Sequence, residues 1–427
     1  MRTIHRLSLE YPAVFKEQIL SWANQFREVV YLDSNAYHHH YSSYDLIVAV
    51  DAFTAIQTDY HQAFEDLHQY QQQTKDWLFG YLSYDLKNDV ESLTSENFDG
   101  LHFPDLFFFQ PKKLFLLKGN ELELRYLRMC DDEMNFDLEQ IALQQPIETS
   151  KVGIDIQQRI AKQNYLDKVR ALQQHIRLGN VYEANFCMEF FAENVAIEPI
   201  NVYKKINAIS EPPFAVYFKN NAHYLMSASP ERYLKKEGNQ VISQPIKGTA
   251  KRYVDATLDE QSRHDLETNP KERSENIMIV DLVRNDLSRT AIKGSVDVQE
   301  LCGIYSFKQV HQMISTISSE VAFDTSPIAL LQTTFPMGSM TGAPKISAMQ
   351  IIEQLEESKR SLYSGAVGYI SPEGDFDFNV VIRSVLYNKD NRYVSFSVGS
   401  AITDLSEPEK EYDECMLKAK AMFEVLS

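Results

Sequence analysis

Gln244-Pro245-Ile246-Lys247-Gly248-Thr249 closes a run of strand-like residues and turns at a glycine–threonine pair, with a lysine just before the turn. Upstream stands Ser229-Pro230-Glu231-Arg232. Between them, 231–237 and 240–246 read as two strands joined by Gly238-Asn239, a strong two-residue hairpin signal. That turn sets Glu237 opposite Gln240 and Glu231 opposite Ile246, so an acid and a lysine come to one end of a hairpin. Side chains alternate along a strand, which puts Glu231 and Lys247 on opposite faces. Their meeting requires a bulge or a bend. A lysine at a strand end is ordinarily a solvated charge, and a nucleophilic one needs a site that lowers its pKa. The rest of the chain decides between these.

Working outward, 214–218 and 223–227 form another hairpin around Lys219-Asn220-Asn221, so the centre is a run of antiparallel strands. Before it, 165–178 is an amphipathic helix with Tyr165, Val169, Leu172 and Ile176 on one face. Gly179-Asn180 caps it and 181–191 follows as a strand. Downstream, Asn269-Pro270-Lys271-Glu272 starts a helix: asparagine caps, proline takes the first position, and Glu272 completes a capping-box-like pattern. The helix runs on to Leu287, with Glu272 and Glu275 on the face of Ile279 and Val283. Acids at a helix N-terminus have an ordinary explanation, a few tenths of a kcal/mol each from the helix dipole. The other reading is a magnesium site, because a hard cation takes one or two carboxylates with water and substrate oxygens.

Glu407-Pro408 opens the last helix, and Glu411, Glu414 and Lys418 share one of its faces. An exposed Glu414–Lys418 pair alone would contribute about 0.3–0.5 kcal/mol. Two separate helices, each presenting Glu-x-x-Glu, favour a shared cation. Between them lie Gly338-Ser339-Met340-Thr341-Gly342-Ala343-Pro344-Lys345, a turn opening onto a helix, and Tyr363-Ser364-Gly365-Ala366-Val367-Gly368-Tyr369. The stretch 375–386 reads as a strand carrying Arg383, whose guanidinium in an interior needs an anion; a planar carboxylate suits its fork.

The N-terminal region 1–148 mixes strands (26–32, 44–50) with a helix at 55–74 that aligns Ile56, Tyr60, Phe64 and Leu67. The apolar stretches 77–84 and 106–117 read as buried strands. His38-His39-His40 has the look of a metal tract, but it sits in a Tyr/Ser-rich loop without partner carboxylates and reads as solvated. A polar connector at 131–148 leads into the region 149–427, and the two regions are expected to form one compact unit. The chain of 427 residues has a formal net charge of −18, which argues against a nucleic-acid or anionic-membrane surface and leaves an anionic small substrate open. Four scattered cysteines without a CxxC pair fit a reducing compartment and argue against a disulfide framework or a zinc site. Glu10 and Lys16 interrupt the first apolar stretch, so no signal peptide is expected. No apolar run is long enough to span a bilayer, and a cytoplasmic protein is expected.

In this order the motifs resemble the chorismate-utilising enzymes, the family of anthranilate synthase component I, from about residue 160 onward; Gly80-Tyr81-Leu82-Ser83-Tyr84-Asp85 resembles a further family segment. The resemblance implies an α/β (α+β) fold: a large antiparallel β-sandwich with outer helices and the active site between its sheets. Within the family, Pro245-Ile246-Lys247-Gly248-Thr249 resembles the branch that aminates chorismate at C4 on the way to para-aminobenzoate and folate. The anthranilate branch carries alanine where this chain has Lys247.

The resemblance implies that Lys247 attacks C2, that Glu231 protonates the departing C4 hydroxyl, and that ammonia then adds at C4 to give 4-amino-4-deoxychorismate. It also implies that chorismate's carboxylates are held by Mg2+, Tyr363, Arg383, Lys418 and backbone near Gly248, Thr249 and Ala401, with Ser339 in the substrate-binding set. Glu275 and Glu414 would hold the magnesium, with Glu272 and Glu411 close behind. No Gly-x-Cys-x-Gly amidotransferase segment is present, so ammonia is expected from glutamine through a separate glutamine amidotransferase subunit.

Three positions depart from the family pattern. Gln312 stands where histidine is usual, and His311, one residue away, would point to the other face of a strand. Glu183 stands where relatives mostly have glutamine, and Ala401 replaces a glycine. The resemblance also raises a tryptophan site in an N-terminal cleft, regulatory or structural, for which Tyr31-Leu32-Asp33-Ser34 is the stretch to inspect. Three other readings stay open. Amination at C2 is disfavoured by Lys247. Isochorismate formation is disfavoured by Glu183, where those enzymes resemble this region with a lysine base. A non-catalytic relative that binds a glutaminase has only Gln312 in its support.

Overall fold

The computed structural model describes residues 1–37, 41–145 and 153–427. The His38-His39-His40 tract and the 148/149 boundary lie outside the described residues. Part of the polar connector is structured: a helix spans Met134–Ala142, and its Asp137 accepts a hydrogen bond from the buried Lys113.

The antiparallel ladders join into one network that branches at the long strand Leu106–Lys118. Along one edge this strand pairs with Leu46–Thr58; along the other it pairs first with Leu78–Leu82 and then with Glu121–Leu127. From Leu78–Leu82 one arm continues through Ala366–Ile370, Phe376–Val380, Arg232–Glu237 and Gln240–Gln244 to Val310–Glu320. From Leu46–Thr58 the second arm continues through Glu28–Asp33, Phe214–Asn220, His223–Ser229 and Ser384–Asn388 to Tyr393–Ile402 and Glu183–Ala192.

The arms stack as a sandwich. Val30, Phe218 and Leu225 of the second arm share a buried cluster with Phe79, Val367 and Phe378 of the first. Their strand neighbours Val29, Tyr31, Tyr217 and Met226 turn the other way and pack with residues of the helices Pro12–Ala23, Lys162–Arg177, Pro199–Ser210 and Pro408–Leu426. Both faces of these strands are therefore covered, which is why Glu183–Ala192 is buried along its whole length.

Two expected elements differ. Residues 55–58 continue the strand Leu46–Thr58, and the helix begins only at Ala63. Helical spacing of Ile56 and Tyr60 was outweighed by pairing of Ala55 and Ile56 with Phe109 and Phe108. The stretch 375–386 is two strands, Phe376–Val380 and Ser384–Asn388, and Arg383 sits in the break between them at φ +51°.

The central hairpin keeps the expected register at its turn, with Glu237 opposite Gln240. The register then shifts between Arg232 and Lys235, which sets Arg232 opposite Gln244. After Pro245 the chain continues as Ile246–Lys251 on Val310–Glu320, with a second shift between Ile246 and Thr249. These irregularities supply the bend that strict alternation demanded. No helix among the described residues is long and apolar enough to cross a membrane.

Candidate active site

Every residue nominated for catalysis, chorismate binding or magnesium, from Glu231 and Lys247 to Glu414 and Lys418, lines one pocket of about 640 Å³. Lys247 enters it from a constrained turn. Gly248 has φ +95°, and a Cβ there would meet Glu272 Oε2 at 3.1 Å and Met313 Cβ at 3.2 Å. Asn276 steadies the same turn from the helix Pro270–Ser288, donating from Nδ2 to the carbonyls of Lys247 (3.4 Å) and Met313 (3.3 Å).

Lys247 Nζ donates to Glu183 Oε1 at 2.8 Å. Glu183 is 0% exposed and Lys247 9%. Burial lowers the lysine pKa, but the charge and hydrogen bond of Glu183, with Glu275 and Glu231 further off, reverse this and leave it raised. The amine is therefore an ammonium in this arrangement, not the neutral nucleophile that attack on carbon requires.

Glu231 shows the opposite balance. Burial pushes its pKa up to about 7, against the stabilising effects of Ser339, Lys247, the Ile246 backbone and Arg383. Ser339 Oγ, on the short turn Gly338–Met340, donates to Glu231 Oε1 at 2.6 Å. The nominated substrate contact at 339 is thus bonded to the acid. Arg383 is brought down to about 10 by burial, partly offset by Glu231, and no carboxylate among the described residues forms an ion pair with it. A guanidinium held this way suits an incoming carboxylate. Tyr363 is buried beside Cys187, whose Sγ lies 3.9 Å from its hydroxyl.

The acidic wall comes from two helices. Asn269 caps Pro270–Ser288, accepting from the backbone N–H groups of Lys271 and Glu272, and so aims Glu272 and Glu275 into the pocket. Burial raises both acids, Glu275 to about 7. From Pro408–Leu426, Glu411 accepts a hydrogen bond from Ser400, and Glu414 pairs with Lys418 at 2.7 Å. Lys418 also donates to the Gly399 carbonyl at 2.9 Å. Lys271, read from the sequence only as part of a cap, places its ammonium 3.3 Å from Glu411 and 3.6 Å from Glu275.

Among the described residues no group of three or more histidine, cysteine, aspartate or glutamate side chains stands arranged as a metal cage. The oxygens are nevertheless hard donors gathered around a cation, here an ammonium, and Glu275 Oε1 is buried without a hydrogen-bond donor. That donor set suits a hard divalent ion.

Strand parity sorts the two residues at 311 and 312 as alternation implies. Gln312 lines the pocket, with Oε1 buried and unpartnered. His311 faces away, 3.1 Å from Asp259 and 2.8 Å from Ser306. Leu32, Asp33 and Ser34 line a cavity of about 60 Å³. Ordinary ligand pockets measure about 300–1,000 Å³.

The model of the chorismate binding enzyme family matches residues 24–424. An anthranilate synthase component I-like protein of Synechocystis is 34% identical, covering 82% of this chain and 72% of the relative. A probable chloroplastic aminodeoxychorismate synthase of Oryza sativa is 39% identical, covering 62% of this chain; the chain spans only 30% of that relative's length. Among solved structures, anthranilate synthase component I from Streptococcus pneumoniae superposes with a TM-score of 0.79 at 24% identity, covering 90% of this chain and 93% of the other, a likeness of fold. With a family match over nearly its whole length and the same sandwich architecture, this chain belongs to the chorismate binding enzymes.

Proposed function

We propose that this chain aminates chorismate at C4 to 4-amino-4-deoxychorismate through a covalent adduct on Lys247. Relatives named for anthranilate synthase and for aminodeoxychorismate synthase are both similar to it, so overall likeness does not choose between C2 and C4. What supports C4 is one observation: a buried lysine and a buried carboxylic acid, Lys247 and Glu231, line the same pocket.

The steps follow from these groups. Arg383, which carries no internal counter-ion among the described residues, and Lys418 hold the substrate carboxylates. The Lys247 amine bonds to C2, the C1=C2 and C5=C6 double bonds move to C1=C6 and C4=C5, and the C4–O bond breaks. Hydroxide is a poor leaving group, so Glu231, protonated near neutral pH, delivers a proton and water departs. Ammonia then bonds to C4, the double bonds return, and the lysine leaves as a neutral amine. The new C4 ammonium gives a proton back to the Glu231 carboxylate. Mg2+, held by Glu275 and Glu414 with Glu272 and Glu411 behind them, would neutralise the ring carboxylate and favour charge spreading over the conjugated ring. A separate glutaminase subunit would supply the ammonia.

The test is a product assay with chorismate, magnesium and ammonium, alongside Lys247→Ala, with products weighed by mass spectrometry. The wild type is expected to form 4-amino-4-deoxychorismate and the variant to lose it by several orders of magnitude. Anthranilate from the wild type, or an undiminished C4 product from the variant, would overturn the reading.

A further inference from the structure

The nucleophile of this pocket is stored in the wrong protonation state, and one carboxylate is hydrogen-bonded to it. Lys247 Nζ lies 2.8 Å from Glu183 Oε1. Glu183 opens the strand Glu183–Ala192, fixed there by pairing with Gly342–Ala343. A Cβ at Gly342 would meet the Glu183 carbonyl at 2.2 Å, so the backbone of the two segments is in close contact. The second oxygen, Glu183 Oε2, is buried without any hydrogen-bond donor. A carboxylate oxygen buried without a donor keeps its acceptor lone pairs free, at a desolvation cost.

We infer that Glu183 is a positioning residue that takes the Lys247 proton before attack, carries it through the turnover, and returns it when the lysine is released. The inference rests on the C4 reading above. The transfer moves one proton along an existing hydrogen bond, from Nζ to the carboxylate, leaving a neutral amine and a neutral acid. When the C2–N bond forms, the adduct is a secondary ammonium; when it breaks, the lysine departs as a free amine. The proton held on Glu183 then restores the ion pair. No net proton crosses to solvent in this cycle.

Other charges face the pair. Glu231 approaches Lys247 from the central hairpin and Glu275 from the helix Pro270–Ser288; Glu414 and Lys418 face it from Pro408–Leu426. Glu231 has Ser339 and Glu414 has Lys418 as hydrogen-bonded partners, and Glu275 forms an ion pair with Lys271. Of the four acids, Glu183 alone is hydrogen-bonded to Lys247.

The test compares the wild type with Glu183→Gln, which keeps the shape but cannot accept the proton, and Glu183→Asp, which can. The rate of C4 product formation, divided by the concentration of free NH3 at each pH because ammonium must lose a proton before it reacts, is followed from about pH 5.5 to about pH 8.5. Internal transfer needs no loss of a proton to solvent, so the wild-type profile carries only the falling limb set by Glu231. Glu183→Gln must lose a proton to solvent and gains a rising limb, about tenfold per pH unit on its acid side. Glu183→Asp is expected to be slower but to lack that limb. If Glu183→Gln is as fast as the wild type at neutral pH without the limb, the inference is wrong, and Glu183 is a counter-ion only.

A second readout is independent of turnover: the pH dependence of Lys247 labelling by trinitrobenzenesulfonate, measured by peptide mass. Its midpoint is expected to fall in Glu183→Gln, and an unchanged midpoint overturns the pair itself. A midpoint that falls in Glu183→Gln, alongside a wild type that forms no aminated product, overturns the C4 reading instead, and the acceptor role with it.

Discussion

Glu231 is the residue whose environment can be tested most directly. Its folded pKa of about 7 lies above the ordinary value of 4.5 because burial penalises the anion. Only the protonated form can serve the leaving hydroxyl, so activity is expected to fall as pH rises through about 7. Glu231→Gln is expected to cost about 10²–10⁴-fold in kcat. The same group carries a stability signature. A raised folded pKa contributes stability that is complete below the unfolded value and is lost as pH rises through the folded one. Between about pH 4.5 and 7 that loss is at most about 3 kcal/mol. Thermal denaturation of wild type and Glu231→Gln should therefore show the variant gaining relative stability as pH rises from about 5 to about 8. A constant difference across that range would contradict a raised carboxyl. That the residues named for catalysis, substrate and metal gather in one place was legible from the sequence, since all of them line one pocket. The Lys247–Glu183 bond was not, because 64 positions separate the partners and no local pattern joins them. Asn276 was missed for a similar reason: one amide within an apolar stripe gives no sign that it will hold a distant carbonyl.

Among the elements, the helix Pro270–Ser288 does most to shape the charge of the pocket. Its start was legible because capping is local, and Asn269 bonds the two backbone amides such a cap implies. Glu272 does not act as the reciprocal capping-box partner; its carboxylate lies against the turn at Gly248. Lys271 sits between acids from two helices, a role visible only once the helices are placed. It is an internal cation where a divalent ion would compete. Lys271→Met is expected to bind Mg2+ several-fold more tightly by calorimetry while losing thermal stability in the metal-free state. Equal or weaker binding would mean that the lysine does not compete. The misread helix at 55–58 and the misread strand at 383 have one cause. Spacing reports which face a residue would occupy but not where pairing stops, and here cross-strand neighbours and a left-handed residue set the limits.

Across the whole molecule, the N-terminal strands are not an appendage. Leu78–Leu82 pairs along its full length with Ala366–Ile370, and at the centre of that seam Gly80 faces Gly368. A Cβ at Gly80 would lie 2.0 Å from the Phe107 carbonyl, and one at Gly368 would lie 2.1 Å from that of Asp377. Backbone atoms cannot step aside as a flexible side chain can, so Gly80→Val is expected to destabilise by about 3 kcal/mol or more. Because the seam links both ends of the chain, tryptophan fluorescence and product formation should be lost in one transition on heating. Activity persisting past the fluorescence change would show the regions to be independent. Neither glycine announces this from sequence, because the partner that crowds it belongs to another strand. The pocket is likewise assembled from distant segments, yet the one charge hydrogen-bonded to its lysine sits on a single side chain. Glutamate codons differ from those of glutamine and of lysine only in the first base. Because Glu183 makes its bond to Lys247 alone and its second oxygen has no donor to strand, a single nucleotide change could neutralise or invert that charge without breaking any other hydrogen bond. The chemistry of the pocket thus lies one mutational step from two other electrostatic settings, open to drift and to laboratory selection alike.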